Sequence, residues 1–104
     1  MKWYVMTRRL ARGVSVVVTG GAGVPYELPH LMRHSPDGFE WGYGGSGPSD
    51  LARSIVGDLL KQADPSPADY QRVKTELVAT LPEKGGTITE DQVLDVLFDR
   101  LGEL

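Results

Sequence analysis

The chain has 104 residues, of which 40% are hydrophobic, with no cysteine and a net charge of −3. This length fits one domain over residues 1–104, and the lack of cysteine excludes disulfides, zinc–thiolate sites and cysteine nucleophiles. No basic stripe indicates binding to duplex nucleic acid, and no apolar segment has the length of a membrane span or of a signal peptide's hydrophobic region. We therefore expect one α+β domain that stays in the cytoplasm.

Charge is unevenly distributed along the chain. Residues 1–41 carry five basic and three acidic side chains, a net charge of +2, whereas residues 42–104 carry six basic and eleven acidic side chains, a net charge of −5. A basic N-terminal half can meet a phosphate or an acidic surface. The alternative is that the acidic helix faces are merely solvated.

Two segments of the N-terminal half, residues 2–7 and 14–19, are rich in β-branched and aromatic residues and predict strands. A third, shorter strand is predicted around residues 26–28, between two prolines that cannot donate hydrogen bonds to a sheet. The connections are too short for crossovers, so this order predicts an antiparallel sheet of about three strands. Three arginines are interpreted as solvated residues of the first hairpin loop: Arg8, Arg9 and Arg12.

The C-terminal half changes to a helical period of apolar residues. A first helix is expected from about Pro48, which suits its first turn, and the run Asp64-Pro65-Ser66-Pro67 is expected to end it. A second helix is expected over residues 67–81, with Ser66 as its N-cap. The pair Gly85-Gly86 is interpreted as a turn that closes this second helix.

A third helix is predicted to begin at the capping box Thr89-x-x-Gln92. It is expected to run to Leu101, with Gly102 as its stop. The apolar stripes of the helices are narrow and one-sided, which predicts that the helices pack on one face of the sheet. The predicted fold class is therefore α+β, with a small antiparallel sheet of about three strands in the N-terminal half, packed by about three helices from the C-terminal half.

Residues 38–48, which we call the glycine–aromatic loop, differ in composition from the rest of the chain. Their glycines are interleaved with three aromatic residues, Phe39, Trp41 and Tyr43. Glycine allows positive φ or close backbone approach, and aromatic rings pack in a core or stack on a ligand. Because the loop leads into a helix N-terminus, its N–H groups and the helix dipole favour a phosphate or a carboxylate. The alternative is a tight connection that is purely structural.

We predict a ligand site on the glycine–aromatic loop. Ser46 would add a hydroxyl, and Trp41 or Tyr43 would stack on a base. Arg33 and His34 would add charge if the loop folds back on them. An open cleft around the aromatic rings favours this site, and their burial favours the structural alternative. The predicted ligand-binding residues are Arg33, His34, Glu40, Trp41, Tyr43, Gly44, Gly45, Ser46 and Gly47.

The motifs of better-defined sites are not found in this loop. No Gly-Lys-Ser/Thr follows the glycines, as a P-loop requires, and the glycine spacing does not match a dinucleotide fingerprint. His34 with Asp37 or Glu40 is a candidate acid–base pair, although such pairs occur in most soluble domains. His30 and His34 have a spacing that suits zinc only within a helix, which the neighbouring prolines oppose. We therefore predict no cofactor, no metal and no catalytic residue.

The run from His34 to Pro48, His-Ser-Pro-Asp-Gly-Phe-Glu-Trp-Gly-Tyr-Gly-Gly-Ser-Gly-Pro, resembles the signature of an uncharacterised family of small bacterial and bacteriophage proteins. The likeness continues, in the same order, with Tyr70, Lys74, Leu81-Pro82 and Thr87-Ile88-Thr89. At Gly86 the family pattern leads us to expect a tryptophan, so one packing contact is expected to be missing. The resemblance brings no established activity, so no functional residue is carried over from it.

What the resemblance implies is a cytosolic protein, encoded by a bacterium or a bacteriophage. By analogy with small phage accessory proteins, we expect an antagonist of host defence. Our leading hypothesis is a non-enzymatic domain that recognises a phosphate-bearing small molecule, such as a nucleotide signal. The alternative is an inhibitor or adaptor of the anti-CRISPR kind, with a host protein as its partner. A phosphoester-processing enzyme is the third hypothesis, and the oligomeric state is not predicted.

Overall fold

The computed structural model describes residues 1–11 and 13–98. Its elements are β1 (Trp3–Arg9), β2 (Gly13–Thr19), β3 (Tyr26–Glu27), α1 (Ser46–Leu60), α2 (Pro67–Glu76), a short 3-10 helix (Val78–Thr80), β4 (Gly85–Thr89) and α3 (Glu90–Phe98). The predicted α+β class is confirmed. Over the described residues the sheet has four strands, where about three were predicted. None of the described helices is long and apolar enough to cross a membrane.

The sheet is antiparallel throughout, with the strand order β3-β2-β1-β4. β1 pairs with β2 over its whole length, from Trp3 opposite Thr19 to Arg9 opposite Gly13. Alternate residues of β1, beginning with Tyr4 and Met6, are buried against the helices, because successive side chains of a strand point to opposite faces. The other face of the sheet carries Trp3, which is 48% exposed.

The strand β4 is not predicted from the sequence. It lies antiparallel to β1, with Gly86 opposite Met6. The interpretation of Gly85-Gly86 as a helix-closing turn is wrong, since α2 ends at Glu76 and the 3-10 helix follows it. Gly85 has φ +116°, and a Cβ atom there would overlap the carbonyl oxygen of Met6. A glycine is therefore required where β4 comes closest to β1.

The helix α1 is buried on all sides, and the predicted one-sided stripe is wrong for it. It begins at Ser46, two residues before the predicted start, and every residue from Gly47 to Gly57 is buried. The helix α2 packs against α1. Residues 28–45 form no helix or strand, and part of this segment donates hydrogen bonds to side chains of α1. Several polar residues are therefore enclosed with the apolar stripe: Ser49, Asp50, Arg53 and Ser54.

The capping box at the start of α3 forms as predicted. The N–H of Gln92 donates to Thr89 Oγ1 at 3.2 Å, and the N–H of Thr89 donates to Gln92 Oε1 at 2.8 Å. This reciprocal pair lets β4 end and α3 begin at adjacent residues. Other predictions fall outside the described residues: the helix end at Leu101 and Gly102, and the loop role of Arg12.

Gly86 is the position where the family resemblance leads us to expect a tryptophan. A Cβ atom on Gly86 would lie 3.2 Å from Leu81 Cδ2. Leu81 is itself partly buried against the core. The leucine side chain therefore covers the space beside Gly86 that a larger residue would need.

Replacing Gly85 by alanine tests the close approach of β4 to β1. Gly85→Ala is expected to lower the free energy of unfolding by about 2 kcal/mol or more, because the overlap with Met6 adds to left-handed strain. Gly38→Ala is the matched control, since Gly38 also has positive φ, +105°, but no atom lies within 4 Å of its added Cβ. The control is expected to lose about 1 kcal/mol. Urea unfolding followed by circular dichroism measures both, and equal losses would contradict the predicted overlap.

Candidate functional site

The buried carboxylate of Asp50 anchors the segment that precedes α1. Asp50 is 0% exposed and accepts hydrogen bonds from the backbone N–H groups of Arg33, His34 and Ser35 at 2.9–3.2 Å. His30 Nε2 lies 2.8 Å from Asp50 Oδ2. One carboxylate on the first turns of α1 therefore fixes the path of residues 30–35.

The environment of Asp50 favours its ionised form. Burial opposes ionisation, but hydrogen bonds from His30 and from the three backbone N–H groups outweigh it, so the pKa of Asp50 lies below its ordinary value of 3.8. The His30 ring also packs against Phe39, with ring centres 4.6 Å apart. His30 thus connects Asp50 to the beginning of the glycine–aromatic loop.

Glu40 is bound by Arg8, and the predicted pairing of His34 with Glu40 is not formed. Arg8 Nη2 lies 2.7 Å from Glu40 Oε1, and Arg8 Nη1 lies 3.1 Å from Glu40 Oε2. These hydrogen bonds lower the pKa of Glu40. The interpretation of Arg8 and Arg9 as loop residues is also wrong, because β1 extends through both.

The two rings predicted to stack on a base have opposite environments. Trp41 is 2% exposed; its Nε1 donates to the carbonyl oxygen of Glu83 at 3.0 Å, and the Arg8 guanidinium carbon lies 4.8 Å from its ring centre. Tyr43 is 53% exposed. We call the open space of about 420 Å³ beside these residues the Tyr43 cleft, which is lined by Arg8, Glu40, Trp41, Gly42, Tyr43 and Glu83.

The N-terminus of α1 has no side-chain cap. Gly45 is its N-cap, and the first turn contains no acidic residue. The N–H of Ser49 is bonded to the Gly45 carbonyl oxygen at 2.9 Å, which leaves the N–H groups of Ser46 and Gly47 without an intrahelical partner. A Cβ on Gly45 would lie 2.6 Å from Tyr43 Cε2, so the exposed ring is adjacent to this helix start.

Gly47 contacts the chain itself at close range. It is buried, and a Cβ there would lie 2.7 Å from Glu40 Cβ and 3.1 Å from the Glu40 nitrogen. Gly47 therefore lets the first turn of α1 pack directly on residue 40. Neither Gly45 nor Gly47 has positive φ, whereas Gly42 has φ +88°.

The side chains of Arg33 and His34 are directed to α2 and the connection before it. His34 Nε2 lies 2.8 Å from Tyr70 Oη. Arg33 Nη1 lies 3.9 Å from Asp64 Oδ1, and Arg53 Nη2 lies 3.0 Å from the same oxygen. The structure therefore separates the predicted site residues into three groups: Arg33 and His34 lie in this cluster, Glu40, Trp41 and Tyr43 line the Tyr43 cleft, and residues 44–47 lie at the start of α1.

Three charged residues that hold these regions together are not among those predicted: Arg8, Asp50 and Arg53. A sequence signal exists for each. Arg8 follows Tyr4 and Met6 at alternate positions, so a longer β1 places it on the same face. Asp50 and Arg53 are three residues apart and therefore neighbours on one helix face, which also borders the apolar stripe.

A further polar cluster joins α1 to the sheet through Asp58. Tyr4 Oη donates to Asp58 Oδ2 at 2.8 Å, Tyr26 Oη donates to Asp58 Oδ1 at 2.6 Å, and Lys2 Nζ lies 3.1 Å from Asp58 Oδ2. Burial and the hydrogen bond to Asp58 raise the pKa of Tyr4 far above its ordinary value. Over the described part of the chain, no group of three histidine, aspartate or glutamate side chains is placed to hold a metal ion.

The chain belongs to a family of unknown function, DUF6166, whose family model matches residues 5–99. That match includes parts of all four strands and three helices, the Tyr43 cleft and Asp50. The expectation of an uncharacterised family is therefore confirmed. No curated protein and no solved structure matches the chain.

Replacing Asp50 by asparagine tests the anchor. Asp50→Asn is expected to lower the free energy of unfolding at pH 7 by about 2–4 kcal/mol, because buried N–H groups lose a charged acceptor. A lowered folded-state pKa stabilises the fold above the ordinary value of 3.8, and this contribution is lost as the pH falls through the folded-state pKa. The difference between wild type and variant should therefore shrink in acid, as measured by urea unfolding at several pH values.

The control for this prediction is Ser54→Ala. Ser54 Oγ accepts the Leu31 N–H at 2.9 Å and is a neutral acceptor for the same segment. Its removal should cost about 1 kcal/mol at every pH. A loss in Asp50→Asn that does not change with pH would contradict the role assigned to the carboxylate.

Proposed function

We propose that the protein is a small, non-enzymatic binding domain that recognises a phosphate-bearing ligand, such as a nucleotide signal, at the N-terminus of α1. The main support is the contact between the exposed Tyr43 ring and Gly45, the N-cap of an uncapped helix. A phosphate bound by the N–H group and the hydroxyl of Ser46, which is exposed, would bring an attached base within reach of the Tyr43 ring.

The charges around the helix start support an anionic ligand. The first turn of α1 has no acidic residue. Glu40 lines the neighbouring cleft, but the bidentate pair with Arg8 offsets its charge. Asp50 is enclosed by its own hydrogen bonds and is fully buried. An approaching phosphate therefore meets the positive end of the helix dipole, with Glu40 and Asp50 already partnered; the other acid that lines the cleft is Glu83.

The residues of the glycine–aromatic loop take different parts in this proposal. Ser46 is exposed and offers its hydroxyl together with its N–H. Gly44 and Gly45 form the backbone that a ligand would approach. Trp41 supports the cleft from the core, so Tyr43 is the ring assigned to stacking. Arg33 and His34 contact Asp64 and Tyr70 and are not assigned to this ligand.

We extend the proposal to the biological setting that the family resemblance implies. The protein would be a cytoplasmic accessory protein of a bacterium or a phage, and would antagonise host defence by sequestering a nucleotide signal. Arg8 stabilises the charged form of Glu40, whose lowered pKa suits a fixed charge better than proton transfer. Sequestration therefore fits the Tyr43 cleft better than turnover of a phosphoester does.

A second candidate function is binding of a host protein. It is favoured by the burial of Trp41 and by the uncovered face of the sheet. On that face Trp3 is exposed, and Val5 lies between Val17 and Thr87 in the neighbouring strands. An apolar centre on an uncovered sheet face can be buried by another protein.

Nucleotide binding is tested by titrating mono-, di- and cyclic nucleotides into the wild type by calorimetry and thermal shift. Tyr43→Ala is expected to weaken binding roughly 5- to 100-fold, because stacking of a base on an aromatic ring is worth about 1–3 kcal/mol. Ser46→Ala is expected to weaken binding about 2- to 10-fold through loss of one hydrogen bond. Both side chains are exposed, so the free energy of unfolding should change by no more than about 0.5 kcal/mol.

The glycines provide the controls for this titration. Gly45→Ala displaces the exposed Tyr43 ring, so it should weaken binding while leaving stability nearly intact. Gly47→Ala places a methyl group against Glu40, so it should destabilise the fold, and binding should fall only in proportion to unfolding. If the folded wild type binds no nucleotide, or if all variants lose melting temperature without a selective binding defect, the loop is structural.

Binding of a host protein is tested with Trp3→Ala in a pull-down from bacterial lysate. The exposed indole should contribute about 2 kcal/mol or more to such an interface if it is a contact residue. The variant should then lose the captured protein while keeping the wild-type unfolding curve. Capture that is unaffected by Trp3→Ala would exclude the uncovered sheet face as the interface.

A further inference from the structure

A second charged site lies where residues 30–35 meet α1 and α2. We call it the arginine cluster, and it consists of Arg33, Arg53 and Asp64, with His34 and Tyr70 beside them. Arg53 belongs to α1, and Asp64 belongs to the connection between α1 and α2. None of these residues lines the Tyr43 cleft.

Arg53 is buried with part of its hydrogen-bonding capacity unused. It is 8% exposed, and its Nη2 donates to Asp64 Oδ1 at 3.0 Å. In the part of the chain that the structure describes, its Nε and Nη1 are buried and have no hydrogen-bond partner. The guanidinium carbon lies 5.9 Å from the ring centre of Tyr70. Burying a guanidinium raises the free energy of the folded state unless each N–H group has an acceptor. Arg53 therefore lacks acceptors for two of its nitrogens.

Asp64 is a weak partner for these arginines. Its side chain is 77% exposed, and Arg33 and Arg53 both face the same one of its two oxygens, Oδ1, at 3.9 Å and 3.0 Å. Because the Asp64 carboxylate is exposed, solvent screens its charge and weakens its attraction to both arginines. A carboxylate held in this way can be exchanged for another anion without disturbing the core.

We propose that the arginine cluster is a binding site for an external oxyanion, a phosphate or carboxylate group, and that Asp64 occupies this site when the anion is absent. The incoming group takes the position of Asp64 Oδ1 between Arg33 and Arg53. A tetrahedral phosphate has more acceptor oxygens than the one oxygen that the arginines now share. It therefore supplies the charge-assisted hydrogen bonds that Arg53 lacks.

The neighbouring side chains fit the same ligand. His34 Nε2 and Tyr70 Oη are hydrogen-bonded to each other at 2.8 Å, and this bond holds both polar atoms in place beside the arginines. The backbone of Arg33 and His34 is held by Asp50, which fixes where the two side chains start. Two arginines and one aspartate give the cluster a positive excess, and this excess grows when Asp64 leaves it.

The test is a nuclear magnetic resonance titration that follows the Arg53 Nε–H signal in the full-length protein. Inorganic phosphate and, separately, acetate are added at constant ionic strength. We expect a saturable shift of this signal. A response to phosphate alone assigns the site to a phosphate group, and a response to acetate as well assigns it to carboxylates too.

Two substitutions of exposed residues test the roles of the cluster. Arg33→Ala is expected to weaken phosphate binding about tenfold or more through the loss of a charged donor. Asp64→Asn is expected to strengthen phosphate binding several-fold, because the internal competitor loses its charge. The matched controls are Arg72→Ala and Glu76→Gln, at an exposed ion pair on α2. They change the net charge by the same amounts as Arg33→Ala and Asp64→Asn, and the affinity for phosphate should stay within about twofold of the wild-type value.

Several results would overturn the proposal. The first is the absence of any saturable shift of the Arg53 Nε–H signal, with phosphate or with acetate, in both the wild type and the Asp64→Asn variant. The second is an unchanged affinity in Asp64→Asn, which would show that Asp64 does not occupy the site. The third is an equal change in the controls, which would indicate general charge screening. Tyr43→Ala should leave this titration unchanged, so the outcome is independent of nucleotide binding at the Tyr43 cleft.

Discussion

The rest of the structure depends on the hydrogen bonds that the buried carboxylate of Asp50 accepts from backbone N–H groups. The helix α1 is enclosed on all sides, and residues 28–45, part of its cover, form no helix or strand of their own. Such a cover brings backbone N–H groups out of water, and each of them needs an acceptor. Asp50 accepts three of them and also contacts His30. One ionised side chain thereby replaces the ladder that a strand would have provided.

A second anchor fixes the other end of this cover. Arg8 binds Glu40, and both Arg8 Nε and Trp41 Nε1 donate to the carbonyl oxygen of Glu83. The chain is thus attached to α1 at Asp50 and to the sheet side at Arg8. Between the second anchor and the helix, Tyr43, Gly44 and Ser46 remain exposed and Gly45 is half-buried. This geometry explains why the residues predicted to form one site are separated. The segment before the loop contributes to the arginine cluster, and the loop contributes to the Tyr43 cleft.

The features that follow from local sequence could be predicted, and those that depend on distant partners could not. The strands β1 and β2 and the capping box at Thr89 follow from alternation and spacing over a few residues. The strand β4 was missed because its first two residues are glycines, which favour a turn, and because its pairing of Gly86 with Met6 joins distant parts of the chain. Trp41 and Tyr43 have similar sequence surroundings, yet Trp41 is buried because its partners come from β1 and from residue 83. The position of the helix start near the glycines was predictable to within two residues, but the charges that hold the loop in place were not.

The central position of β1 has a consequence for how the protein is made. Its two neighbours are β2, which follows directly, and β4, which ends at residue 89. On the ribosome the hairpin of β1 and β2 is synthesised before β4, so one edge of β1 has no strand to pair with until residues 85–89 follow. The contact between Met6 and Gly86 closes a long loop, which slows folding compared with a helical bundle of equal size. The nascent chain therefore exposes an unpaired edge of β1 until β4 has been synthesised, and the sheet is complete only after β4 pairs with β1.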